Sequence, residues 1–207
     1  MTTVSGLFDS YDAGSAAVRE LQSLGIASND ISIVGPDRDG RATGEPRSFG
    51  AKGDHVAADA GQGAEIGGAV GAVGGLLAGL GMLAIPGIGP VVAAGWLVST
   101  LTGAVAGAVV GGAAGGLIGA LTEAGVPEEH AHVYAEGVRR GGTLVIARVG
   151  PEQEATARSV LDRAGRADLD TRARAYREEG WSRFDPDGQP YAVDDLDRPG
   201  LTSSPRI

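Results

Sequence analysis

From Ile66 to Thr122 the chain carries no Asp, Glu, Lys, Arg or His. A stretch of that length without a charge has to be covered by protein or by lipid, and this restricts the architecture more than any other feature. Within it glycine recurs at every fourth position: Gly67, Gly71, Gly75 and Gly79, then Gly103, Gly107, Gly111, Gly115 and Gly119. Each glycine costs a helix about 1 kcal/mol relative to alanine. A four-residue period advances a helix by about 400°, so the glycines form a slowly drifting line without side chains. Another helix backbone can approach closely along such a line, which recovers dispersion energy and offsets the propensity cost. Gly95 and Ser99 extend the second line backwards.

Pro86 and Pro90, with Gly87 and Gly89 between them, mark a turn. The stretch therefore reads as two helices, about 66–85 and 91–122, folded into a hairpin over residues 65–123. The first is long enough to cross the roughly 30 Å hydrocarbon core of a bilayer. Membrane insertion is favoured by the absence of charge and by the small-residue spacing. Several features oppose it. Gly and Ala are weakly apolar, Glu65 and Glu123 flank the segment without a Lys/Arg cluster, and Trp96 lies inside it rather than at an interface. The alternative is a homo-oligomeric core in which the glycine lines pair between subunits.

On either side of the hairpin the sequence reads as a βαβ-like unit. In the first, over residues 1–35, a strand at 3–8 leads to a helix that Asp9, Ser10 or Asp12 could cap. Ala17, Leu21 and Leu24 fall on one helical face, Gly25 is a C-terminal stop, and Ile31 and Ile33 alternate as a strand does. In the second, TLVIARV is followed by Pro151, Glu152 and Glu154 at a helix start. Ala157, Val160, Leu161 and Ala164 form a stripe, Gly165 is a stop, and ADLDT reads as a strand. Two such units predict an α+β, ferredoxin-like βαββαβ sheet with two helices on one face. The connection between its second and third strands holds a polar loop (36–64), the hairpin and an amphipathic helix starting at Pro127. That helix buries Ala131, Tyr134, Ala135 and Val138 and ends at Gly141 and Gly142. Residues 124–172 contain this helix and the second unit. Residues 173–207 read as a mostly irregular tail, in which Trp181, Phe184 and Tyr191 are candidate anchors, either on the protein's own body or on a neighbouring copy.

Chemistry-bearing patterns are sparse. There is no cysteine among 207 residues, which excludes thiolate metal sites and cysteine catalysis. The net charge is −9, with an acid excess spread over residues 1–64 and 123–170 and no basic face, so nucleic acid is not an expected partner. His130 and His132 are two apart on a helix and point to different faces, which is the wrong spacing for a metal pair, and Glu129 and Glu136 beside them read as a solvated face. His55 stands alone in the polar loop. The G-x-x-G patterns lack a following Lys-Ser/Thr and are weak phosphate signals. Ser99, Thr100 and Thr102 have no base nearby and are expected to bond back to their own helix. DPDG at 185–188 lacks the remaining ligands of a calcium loop and reads as a turn. No catalytic, cofactor-binding or metal-binding residue is expected. The opening MTTVSGLFDSYDAGS has neither the positive nor the apolar region of a secretory leader, so the expected location is the cytoplasm or the cytoplasmic side of the inner membrane.

The segment VSGLFDSYDAGSAAVRELQSLGIASNDISIVG resembles the opening of the bacterial heat-induced and general stress proteins of the 17M type. The resemblance rests on Phe8, Asp9, Ala17, Val18, Leu21, Gly25, Ile26, Asp30, Ile31 and Ser32. The apolar insertion and GGTLVIARV look like the longer members, so that it covers about residues 3–170. It implies the α+β fold and an association with stress, and it transfers no catalytic residues. The expectation is a non-enzymatic, stress-associated protein whose hairpin inserts in or assembles at the cytoplasmic membrane, with membrane lipid and other copies of itself as partners. A homo-oligomeric scaffold is the alternative. A small-ligand sensor binding between helix and sheet is a third reading, resting on fold analogy alone.

Overall fold

Strand β1 (Thr2–Phe8) leads into helix α1 (Tyr11–Ser23), which begins where Ser10 adopts an extended backbone and its hydroxyl accepts from Ala13 N at 3.2 Å. Ser10 is thus the cap among the three candidates. Gly25, at φ +83°, closes the helix, with Gly25 N donating to Gln22 O at 2.9 Å and Ile26 N to Leu21 O at 3.4 Å. Gly14, Ala17, Val18 and Leu21 are buried. Leu24, expected on the same stripe, is 37% exposed because the helix has already ended and it stands at the C-cap.

The computed structural model describes residues 1–36, 81–85, 88–97, 100 and 115–188. After a single 3₁₀ turn (Ser28–Asp30) come β2 (Ile31–Pro36), β3 (Gly81–Ile85), β4 (Gly89–Ala94), α2 (Gly115–Glu123), α3 (Glu128–Arg139), β5 (Thr143–Val149), α4 (Glu154–Arg163) and α5 (Leu169–Glu178). The strands form one sheet in the order β1-β5-β2-β4-β3, with every neighbouring pair antiparallel. β5 lies between β1 and β2, pairing Val4 with Ala147 and Ile33 with Val145. The two strands joined by α1 are therefore parallel to each other.

Both faces of the sheet are covered. Val4, Phe8, Ile31, Ile33, Val145 and Ala147 pack under α1 and α4, where Leu21 and Leu161 meet them. Leu7, Val34, Val91, Ala93, Leu144 and Ile146 pack on the opposite face with Leu117, Leu121, Tyr134 and Val138 of α2 and α3. The two helices expected to share a face, α1 and α4, do so, and α2 and α3 close the other face. This double cover explains why β2 and β5 are near-continuous apolar runs instead of alternating ones.

The expected apolar helices do not reach the turn between them. Residues 81–85 and 89–94 are strands of the sheet, and Ile88 N donates to Ile85 O at 3.0 Å to close the turn. The turn stands where Pro86 and Pro90 placed it, but the elements flanking it are not helical. Pro90 lacks an N–H and resists a helix interior, while Val91 and Val92 suit a strand, and pairing with β2 buries Val91, Ala93 and Ala94 completely. Gly95 is not part of a zipper line. It sits at φ +95°, and a Cβ there would overlap the Ile31 carbonyl oxygen. Beyond it Leu97 N donates to the buried Ser32 hydroxyl at 3.0 Å, tying the exit of β4 to β2. Of the remainder of the expected helices, residues 96, 97 and 100 are helical and 115–122 belong to α2, while 66–80, 98–99 and 101–114 lie outside the described residues.

The expected strand ADLDT is also corrected. Ala167 N donates to Leu7 O at 2.7 Å and Arg166 Nη1 to Ser5 O at 3.2 Å, so this segment touches the outer edge of β1 without forming a ladder. Asp168 then caps α5 by accepting from Thr171 N at 2.8 Å. α5 replaces the irregular chain expected from residue 173, because Leu169, Ala173 and Tyr176 share a helical face that packs with Val133 of α3.

Candidate functional site

Helix α3 is buried along two stripes. The first is the expected one: Ala131, Tyr134, Ala135 and Val138 face the sheet and α2. Tyr134 Oη lies 2.9 Å from Ser5 Oγ, and burial raises its pKa above the usual tyrosine value against the opposing pull of that hydrogen bond. On the second, of the two acids expected on a solvated face, Glu129 is exposed and Glu136 is not. Glu136 is 0% exposed and accepts from Arg140 Nε at 2.7 Å, with Arg139 Nε 3.4 Å away. A carboxylate in that position is held by the guanidinium groups one turn along its own helix.

α5 and the segment after it lie along this second stripe. Arg140 reaches from Glu136 to Glu179 and stands 4.2 Å over the Tyr176 ring. Arg172, itself buried, pairs with Asp9 at the start of α1, and Arg177 donates to Glu129 at 2.7 Å. Burial raises the Tyr176 pKa, while the positive charges of Arg172 and Arg140 act in the opposite direction. Two of the three tail aromatics dock on the body. The Trp181 ring is 5.8 Å from Tyr176, edge to face, and Phe184, 4% exposed, enters the core shared with α2 and α3. Tyr191 lies outside the described residues.

Between α2, α3 and the chain at 182–186 is an open cleft of about 520 Å³. Ile118, Glu128, His132, Ser182, Phe184 and Pro186 line it, with His132 Nε2 3.7 Å from Glu128 Oε1. The cleft thus lies between helices and the strap-like terminal segment, not between helix and sheet. Asp185 Oδ1 accepts from Asp187 N at 3.0 Å and Gly188 N donates to Asp185 O at 3.2 Å, which makes DPDG an Asx-type turn. Among the described residues no three His, Asp or Glu side chains gather as a metal set. Thr100 Oγ1 donates to Trp96 O at 3.4 Å, the expected back-bond. His55, Ser99 and Thr102 lie outside the described residues.

Of the zipper glycines, Gly67, Gly71, Gly75, Gly79, Gly103, Gly107 and Gly111 lie outside the described residues. Gly115 opens α2, and Gly119 lies in it with no atom within 4 Å of where a Cβ would stand. α2 packs on α3 and the sheet through Leu117, Ala120 and Leu121 instead. Close approaches to helical glycines do occur at Gly137 of α3, where a Cβ would overlap the Leu7 side chain, and at Gly14 of α1, where it would meet Thr143.

The ionic seam escaped the sequence reading because its partners are far apart in the chain: Asp9 with Arg172, Glu129 with Arg177, Arg140 with Glu179. The one local signal was the i, i+4 spacing of Glu136 and Arg140.

These features define the class: a mixed α/β protein with an antiparallel sheet covered on both faces and a C-terminal helix fastened by arginine–carboxylate pairs. No family model matches the chain, no curated protein matches it, and no solved structure matches it.

Proposed function

We propose that this is a non-enzymatic, stress-associated assembly protein: a folded body that presents a glycine-rich apolar segment to the same segment of other copies. The observation that carries the reading is the burial of the centre of the uncharged stretch in the body itself. Val91, Ala93, Ala94 and Leu97 are all 0% exposed. A segment anchored there by β3 and β4 favours protein–protein packing of its two arms, 66–80 and 101–114, over a pair of bilayer-spanning helices. Gly103, Gly107 and Gly111 supply the spacing for close approach in one arm, and Gly67, Gly71, Gly75 and Gly79 in the other. The buried arginines and Glu136 face opposite charges and join elements, which is a structural use for them. The stress association rests on the resemblance of residues 3–170. We read β1–α1–β2 with β5–α4 as a ferredoxin-like arrangement in which α5 takes the place of the last strand, a reading supported by the order β1-β5-β2.

Light scattering of detergent-free protein tests the assembly. A defined oligomer is expected, weakened by Gly111→Leu, and a monomer at all concentrations overturns the reading. A second reading places the same arms at the cytoplasmic face of the inner membrane, favoured by the absence of charge from Ile66 to Thr122. Among the described residues no helix is long and apolar enough to cross a membrane. Fractionation with a carbonate wash decides it: protein retained in the membrane pellet supports insertion, and release into the supernatant rejects it.

A further inference from the structure

We infer that residues 168–188 form a detachable strap that is exchanged between copies of the chain, so that the strap of one molecule docks on α3 of another. This deepens the assembly reading and rests on it. The strap is fastened unlike the rest of the protein. The cluster it forms with α3 is small, Val133, Ala173 and Tyr176, flanked by the partly buried Leu169 and Trp181. The remaining fasteners are ionic, Arg172 to Asp9, Glu179 to Arg140 and Arg177 to Glu129, with Phe184 as a single apolar plug. Arg172 Nε and Trp181 Nε1 are buried with no hydrogen-bond partner among the described residues, which lowers the stability of the seam.

The upstream end of the strap begins after the cap of α4, at a point where residues 166 and 167 are bonded to β1. α4 is closed before the strap begins: Gly165, at φ +83°, donates to Asp162 O at 3.0 Å and Arg166 N to Leu161 O at 3.1 Å. α4 therefore keeps its cap when the strap leaves. The backbone bond that then holds the start of the strap to the sheet is Ala167 N to Leu7 O.

The face under the strap is complementary to one ligand already on the page, the strap itself. Along α3, Glu129 meets Arg177 of the strap, Arg140 meets both Tyr176 and Glu179, and Arg139 meets the turn at Gly188. A second copy carries the same strap. Exchange re-forms every one of these contacts between molecules, and it joins them without any new surface.

Two charge-reversed pairs test this. Asp9→Arg and Arg172→Asp each place like charges together when the strap stays at home, as do Glu129→Arg and Arg177→Glu. Mixing the two members of a pair lets an exchanged dimer restore attraction at one seam and keep the wild-type pair at the other. Each variant alone is expected to show faster hydrogen exchange across residues 169–188, and the equimolar mixture to regain protection roughly tenfold or more, with dimer mass by light scattering. A mixture that behaves as the average of its two components overturns the exchange. Glu129 and Arg177 are exposed, so that pair decides the matter should the Asp9 or Arg172 variants fail to fold, with a regain of protection of about two- to fivefold in the mixture. A wild-type oligomer with no exchange in the mixture removes the strap proposal and leaves assembly through the glycine segment standing, whereas a wild-type monomer removes both.

Discussion

Arg140 and Glu136 lie one turn apart on α3, and the guanidinium Nε donates to the buried carboxylate at 2.7 Å. The same arginine continues to Glu179 and over the Tyr176 ring. Removing the carboxylate with Glu136→Ala leaves Arg140 buried with half of its compensation, and is expected to cost about 3 kcal/mol in urea unfolding. Glu136→Gln keeps the shape and an acceptor, so its loss should be smaller. Equal losses in the two variants would show that the charge, which both remove, carries the whole contribution and that shape and a neutral acceptor add nothing.

Gly95 and Gly119 should respond in opposite directions to the same substitution. Gly95→Ala forces a side chain into the Ile31 carbonyl at a positive φ, and a loss of about 3 kcal/mol is expected. Gly119→Ala meets open space within a helix and should gain about 0.5–1 kcal/mol in the separated chain. If Gly119 faces another copy in the oligomer, the gain is accompanied by weaker assembly. Thermal unfolding and light scattering on the same samples read both effects.

Tyr134 and Tyr176 give the fold an alkaline limit. Burial raises both phenols above the ordinary value of about 10. The folded chain thus holds these protons where the unfolded chain has released them. Their contribution is complete below about pH 10 and is lost as pH rises from there through the folded pKa. Tyr134→Phe should flatten the decline above about pH 10, while costing about 1 kcal/mol at neutral pH through the lost bond to Ser5. An unchanged alkaline slope in the variant would count against burial as the cause.

Phe184→Ala should loosen one region and spare another. The ring is the plug of the terminal segment, and its removal is expected to weaken closure there by about 3 kcal/mol. Hydrogen exchange at Trp181 N, which donates to Tyr176 O at 2.9 Å, should accelerate while the β5 amides keep their protection. Uniform acceleration across the sheet would mean that Phe184 belongs to the global core.

Much of the fold was legible because its signals are local. The Ser10 cap, the Gly25 and Gly165 stops, the Pro127 start and the stripe Ala157, Val160 and Leu161 can each be read within one turn of chain, and they stand where the sequence put them. β3 and β4 were missed because a short apolar run has no period that separates a strand from a buried helix. What decides the matter there is pairing with β2, some fifty residues earlier. α5 was missed because its arginines disguise a helix whose face is part apolar and part ionic. The burial of Glu136 was invisible for a related reason, since α5, which packs on α3, was itself not foreseen.

The single bond from Ala167 to Leu7, with Arg166 reaching the Ser5 carbonyl beside it, leaves β1 with its margin already engaged. A stray extended peptide arriving on that side finds these two acceptors already taken.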